Sequence, residues 1–160
     1  MTKKIQIFNS PEEVGVRILF ILDICQKRMS KQRIMYYDYF SLHLNDLDQT
    51  KESLHPDNPN HSSEIAIKRD LINKGLDLII AKGLVSVKYS KTGIYYQINR
   101  LTHEFVNLFQ NTYVEELKMN IATVNEFLLK YSDRQIYKYI NSNIGKWAGE
   151  FENSALTGGE

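Results

Sequence analysis

One cluster in the first half of the chain brings together side chains able to hold a divalent cation or move a proton: His43, Asp46, Asp48, His55, Asp57, His61 and Glu64. Imidazole nitrogens and carboxylate oxygens in that number match the donor chemistry of zinc or manganese. Their setting argues otherwise. They are strung in and beside a polar stretch, Asn45 to His61, where Asp, Asn and His commonly close turns and cap helices. No Cys/His metal spacing, phosphate-cradling glycine loop or nucleophile elbow occurs in the sequence. The expectation is a non-enzymatic protein with no catalytic residue, no metal and no cofactor. A small metal-dependent hydrolase is the reading to test against it.

A second possible chemistry is phosphate binding. Lys88, Lys91 and Arg100 gather about a predicted hairpin and Lys74 lies on the helix before it, so their cationic groups can meet a nucleic-acid backbone. Exposed cations on a strand equally prevent edge-to-edge pairing. The formal net charge is only +1, so any basic footprint must be local.

These side chains need elements to position them. Ser10-Pro11-Glu12-Glu13 is a strong helix start: a serine cap, proline at the first helical position, and Glu13 to close a capping box. Val14, Ile18, Ile21 and Cys25 share a face, with Leu19, Leu22 and Ile24 widening it, so this helix is predicted to be mostly buried. Gln26-Lys27-Arg28 follows as a cationic end that suits the helix dipole. Ser30 caps a second predicted helix, from Lys31 to about His43, apolar on more than one side. An ordered loop with Pro56 and Pro59 follows, its flexibility concentrated in Asn45 to Glu52. A third helix is predicted from Ser63 to Lys82, with Ser62 or Ser63 as its cap. Its core face is Ile65, Ile72, Leu76 and Ile79, with Arg69 near the edge. A second apolar row, Ile67, Leu71 and Leu78, lies well away from that face and reads either as contact with the chain's own C-terminal helices or as a partner surface; two aspartates, Asp70 and Asp77, interrupt what remains.

Gly83 is read as a left-handed cap, with Leu84 as the apolar contact after it. In the hairpin, Val85, Val87 and Tyr89 are answered by Ile94, Tyr96 and Ile98. Beyond it Thr102 caps a segment with Phe105, Leu108 and Phe109. Tyr113, Leu117, Ile121, Val124, Leu128 and Tyr131 trace a longer helix, and Ile136, Ile140, Ile144 and Trp147 a last one. The run Ile5 to Phe8 reads as an edge strand or extended arm, and Ser154 to Glu160 has the composition of a disordered tail.

The predicted fold is mainly α with a small β-hairpin: a winged helix over residues 1–100, a helical extension packed on it over 101–153, and the tail 154–160. Apolar residues make up 42% of the 160, enough for one core. The single Cys25 falls in an apolar helical run, as a buried reduced thiol does, which points to the cytoplasm. No apolar stretch is long enough to suggest a membrane span.

A resemblance emerges along the loop and third helix. Ser53-Leu54-His55-Pro56, Pro59, His61-Ser62-Ser63-Glu64, Lys68-Arg69, Leu71-Ile72, Gly75-Leu76 and Gly83-Leu84-Val85 together resemble the middle component of three-component ABC-ATPase systems. That component is similar to the accessory subunit of Lamassu-type anti-phage defence. The likeness extends back to Arg17 and Asp38 to His43, and forward to about Arg100. The chain carries His61 and Lys68-Arg69 where the family pattern has Arg and Arg-Arg.

The resemblance implies an adaptor that links an SMC- or Rad50-like ABC ATPase to an effector, often a nuclease, with at most weak, non-specific DNA contact. A two-sided third helix beside an ordered polar loop fits that role, with His55, Pro56, His61, Glu64, Ile67, Leu71 and Leu78 as its protein-interaction residues. The alternative is a winged-helix DNA-binding transcriptional regulator that uses Lys74, Lys88, Lys91 and Arg100. Fold alone does not decide between them.

Overall fold

The computed structural model describes residues 10–55 and 61–147, with side chains described except for residues 61–66 and 144–147. The run Ile5 to Phe8, Pro56, Asp57, Pro59 and the tail 154–160 lie outside the described residues.

Helix α1, Pro11–Cys25, starts as its sequence requires: the Ser10 hydroxyl accepts the Glu13 N–H at 3.2 Å, with proline in the first turn. It ends at Gln26, which takes the left-handed conformation at φ 52° and donates its N–H to the Leu22 carbonyl. Helix α2, Lys31–Leu42, is capped in the same way, Ser30 accepting the Arg33 N–H at 3.1 Å. Within the stretch expected to lack helix, Leu44–Leu47 forms one helical turn, α3, because Leu44 is buried and anchors it. Helix α4, His61–Ala81, begins earlier than expected, so Ser62 and Ser63 stand in its first turn.

Gly83, at φ 71°, ends α4 as expected: its own N–H reaches the Ile80 carbonyl and that of Leu84 reaches Ile79, each at 3.0 Å. Strands β1, Ser86–Ser90, and β2, Gly93–Gln97, pair antiparallel with Val87 opposite Tyr96 and Tyr89 opposite Ile94. Met29, between α1 and α2, bridges to Tyr96 and anchors the base of β2. Three helices follow: α5 (Arg100–Val106), α6 (Thr112–Leu128) and α7 (Asp133–Trp147). The cap of α5 is Asn99, and Thr102, expected there, completes the capping box from inside the helix.

The core forms around α1, which α4, α2, α6 and α5 enclose. Near its start α1 crosses α4 at two glycines. A Cβ on Gly75 would stand 3.0 Å from the Gly15 nitrogen and 3.3 Å from the Pro11 carbonyl oxygen, closer than side-chain carbons normally approach backbone. Only glycine fits so near a crossing backbone, which gives Gly75 a packing role. Behind α1, the α6 stripe Val114, Leu117, Ile121, Val124 and Leu128 is buried, and Ile136 and Ile140 of α7 join the same apolar cluster. Arg33 fastens the end of α6 from α2: its guanidinium donates to the Leu128 and Tyr131 carbonyls and pairs with Asp133 at 2.8 Å. Among the described residues no helix is long and apolar enough to cross a membrane.

The apolar residues expected on one side of the hairpin pair as predicted but are not buried alike. Val85 and Tyr96 are buried, Val87 and Ile98 half-buried, but Tyr89 is 80% exposed and Ile94 48%. Burial fades toward the tip because only the base rests on helices.

Candidate functional site

Where α1, α2 and α4 meet, the interior is charged. Arg17 of α1 sits among Val14, Ile18 and Ile21, Asp38 of α2 four residues after Ile34, and Lys68 of α4 four residues before Ile72. Each charge therefore falls on an apolar helical face that packing turns inward. Arg17 grips Asp38 through Nε to Oδ1 at 2.7 Å and Nη2 to Oδ2 at 3.2 Å. Lys68 Nζ donates to the same Oδ2 at 2.7 Å. Asp38 is fully buried, Arg17 and Lys68 nearly so. Burial alone would raise the Asp38 carboxyl. The charges of Arg17 and then Lys68, with their hydrogen bonds, outweigh it and hold the group well below the usual carboxylate range. Burial opposes the Arg17 charge too, and Asp38 more than restores it. The result is a knot, ionised at neutral pH, that joins three helices by charge-assisted bonds.

A ring cluster lies beside it. His43 is buried at the end of α2, its ring 4.8 Å from that of Tyr39 and 6.4 Å from that of His55. His55 is tied at both ends: its N–H donates to the Leu42 carbonyl, and its Nε2 lies 2.8 Å from the Tyr113 hydroxyl of α6. Burial, then the nearby charge of Arg17, lowers the His55 pKa to about 4, so the ring is neutral at pH 7. Burial raises that of Tyr113 to about 12, and the hydroxyl keeps its proton. Burial likewise raises the Cys25 thiol to about 12, which leaves it a poor nucleophile.

Of the histidines and carboxylates that invite a metal, the four whose side chains are described, His43, Asp46, Asp48 and His55, have separate settings. Asp46 accepts the Tyr39 hydroxyl, and Asp48 closes a turn by accepting the N–H and hydroxyl of Thr50. Among the described residues no three His, Cys, Asp or Glu side chains are placed to share a cation. Of the residues expected to dock a partner, His55 is half-buried, Pro56 lies outside the described residues, and His61 and Glu64 are described only as the opening backbone of α4. Ile67 is 59% exposed, but Leu71, expected to lie away from the core, packs against it, and Leu78 is half-buried. The supposed second row is therefore partly covered by the protein itself. Lys88, Lys91 and Arg100 are exposed, and Lys74 pairs with Asp70 at 3.0 Å.

Three charged residues of the knot did not figure among the expected sites, although a signal was available. Each interrupts an apolar stripe at helical spacing, and three such interruptions of opposite sign predict one another as partners. In α4 it is Lys68, not Arg69, that turns inward; Arg69 is exposed.

A family model described as ABC-three component (ABC-3C) system Middle Component 2 matches residues 7–150, well past Arg100 where the visible resemblance stops. Neither the comparison with curated proteins nor that with solved structures yields a match. The longer match agrees with the packing, because α6 and α7 share their core with α1 and α2. Arg17, Asp38, His43, His55, Lys68 and Gly75, scattered through the sequence motif, are the residues that lock these helices together, and the chain belongs to the Middle Component 2 family of ABC-three component systems.

Proposed function

We propose that the protein is a non-enzymatic adaptor of an anti-phage defence complex, acting in the cytoplasm to join an SMC- or Rad50-like ABC ATPase to its effector, as the accessory subunit of Lamassu-type defence does. The observation that carries this reading is the buried knot. The motif's charged side chains bond to one another across α1, α2 and α4 at 2.7 to 3.2 Å, where they serve rigidity rather than an open reactive cleft. A rigid body suits a part that transmits position between two partners. In this reading residues 1–100 act as a winged helix, supported by the order α1, α2, α4, hairpin and by the Met29 bridge to Tyr96. The helices of 101–153 act as its extension.

Copurification provides the test. The chain, expressed with the ATPase and effector of its own system, is expected to form a stable complex by light scattering. Duplex DNA is expected to bind weakly, without sequence preference, and less as salt rises. A chain that ignores its ATPase, or that binds one DNA sequence tightly by itself, would overturn the proposal.

A further inference from the structure

Between α1, α5 and α6 the surface opens into a pocket of about 570 Å³, within the range of roughly 300 to 1,000 Å³ in which proteins commonly seat a ligand or an anchoring side chain. Its floor and walls are apolar: Val16, Phe20, Phe105, Phe109, Val114 and Leu117. The rings of Phe105 and Phe109 lie edge to face at 5.4 Å, and Phe109 meets Phe20 at 6.3 Å. Both Phe105 and Phe109 stay half-exposed at the mouth. The rim is acidic. Glu12 and Glu13, in the first turn of α1, line the opening. The nearby cations are engaged: Arg17 with Asp38, and Lys118 with Glu115 and, at 5.7 Å, with the Phe20 ring. The charge of Arg17 is felt by Glu13, but among the described residues no cation stands within ion-pair distance of Glu12 or Glu13.

We propose that this pocket receives an apolar side chain flanked by lysine or arginine from the ATPase component, the flanking cations meeting Glu12 and Glu13. The proposal rests on the adaptor reading and gives it a surface. Charge selects the occupant: an aromatic or aliphatic anchor fills the floor, while an acidic neighbour would be repelled by the rim and a basic one attracted. The buried knot stands directly behind, with Arg17 contributing to both pocket wall and knot, so an anchor seated here touches a side chain that ties α1 to α2.

The test uses the full chain with the purified ATPase component of its system. Val16 is replaced by the photo-crosslinker benzoylphenylalanine, and separately Val16→Trp fills the pocket while Glu12→Gln with Glu13→Gln neutralises the rim and keeps an amide where the helix start has a carboxylate. The crosslink is expected to map to an apolar residue bordered by Lys or Arg in the ATPase. Both variants are expected to keep the wild-type melting profile and to weaken the complex by at least about tenfold, as loss of an interface anchor does. Wild-type affinity in both variants overturns the pocket proposal while leaving the adaptor reading intact. So does a crosslink to residues 1–9 of the same chain, to a second copy, or to an acidic segment of the ATPase. Failure of the wild-type chain to bind the ATPase at all overturns both.

Discussion

The junction of α1, α2 and α4 and the hairpin that follows it treat polarity in opposite ways. At the junction Arg17, Asp38 and Lys68 lie in the interior, whereas the hairpin tip leaves Tyr89 and Ile94 in solvent. The difference shows that residue type alone does not decide burial here; the number of surrounding elements does. Helices α1, α2 and α4 close on each other from several directions, so a charge on an inward face must find a partner. The hairpin has only its base against the helices, so apolar residues beyond that base have nothing to pack against.

The sharpest way to break this comparison is to remove the shared anion. Asp38→Ala leaves the guanidinium of Arg17 and the ammonium of Lys68 buried without the carboxylate between them. It is expected to destabilise the fold by about 3 to 5 kcal/mol, the usual cost of breaking a buried ion pair from one side. Urea denaturation, read as a shift in midpoint at unchanged slope, measures it. A loss under about 1 kcal/mol would mean that the knot is solvated and that the two regions do not differ as described.

The second prediction sharpens the comparison through pH. The folded His55 pKa, near 4, lies below its unfolded value of 6.5, so the unfolded chain binds more protons between those limits. The contribution of the neutral ring is full above pH 6.5 and is lost as pH falls toward 4. Asp38, also depressed, loses its contribution only at still lower pH, as the carboxylate protonates in the folded state. Because His55 is only partly buried, its share is on the order of 1 kcal/mol once solvent screening is allowed for. Thermal melts from pH 7 to 4 are expected to fall less for His55→Gln than for the wild type. Parallel curves would place the acid sensitivity elsewhere.

Local chemistry was well marked in the sequence. The Ser10-Pro11 and Ser30 helix starts, the Gly83-Leu84 exit and the hairpin register each depend on a few adjacent residues, and each is found where those residues put it. What eluded the sequence depends on distance along the chain. Arg33 reaches the carbonyls at the end of α6 nearly a hundred residues on, and no neighbouring residue signals it. Asn99 and Thr102 are both competent caps, and the carbonyl of Leu84, which accepts the Thr102 hydroxyl, helps draw that residue inside the box. The knot was readable only to an eye that let charged residues keep their place in an apolar stripe. Leu71 was misplaced for the converse reason: a wheel fixes angle about the helix axis, but not how far the neighbouring helices wrap around it.

The smallest effect is expected at the hairpin tip, and it completes the comparison from the other side. Tyr89 is 80% exposed, its strand partner Ile94 is 48% exposed, and the tip is closed locally by Ser90, Thr92 and Gly93 through hydrogen bonds among themselves. Tyr89→Ser with Lys91→Glu therefore removes little buried apolar area. Stability is expected to change by no more than about 0.5 kcal/mol, as at ordinary surface positions. The Met29 bridge and buried Tyr96 hold the base independently, so amide protection at Met29 and Tyr96 is expected to persist in hydrogen exchange. A loss of more than about 1 kcal/mol, or of protection at that bridge, would show that the tip is coupled to the helical core and that exposure at the hairpin is not the counterpart of burial at the knot.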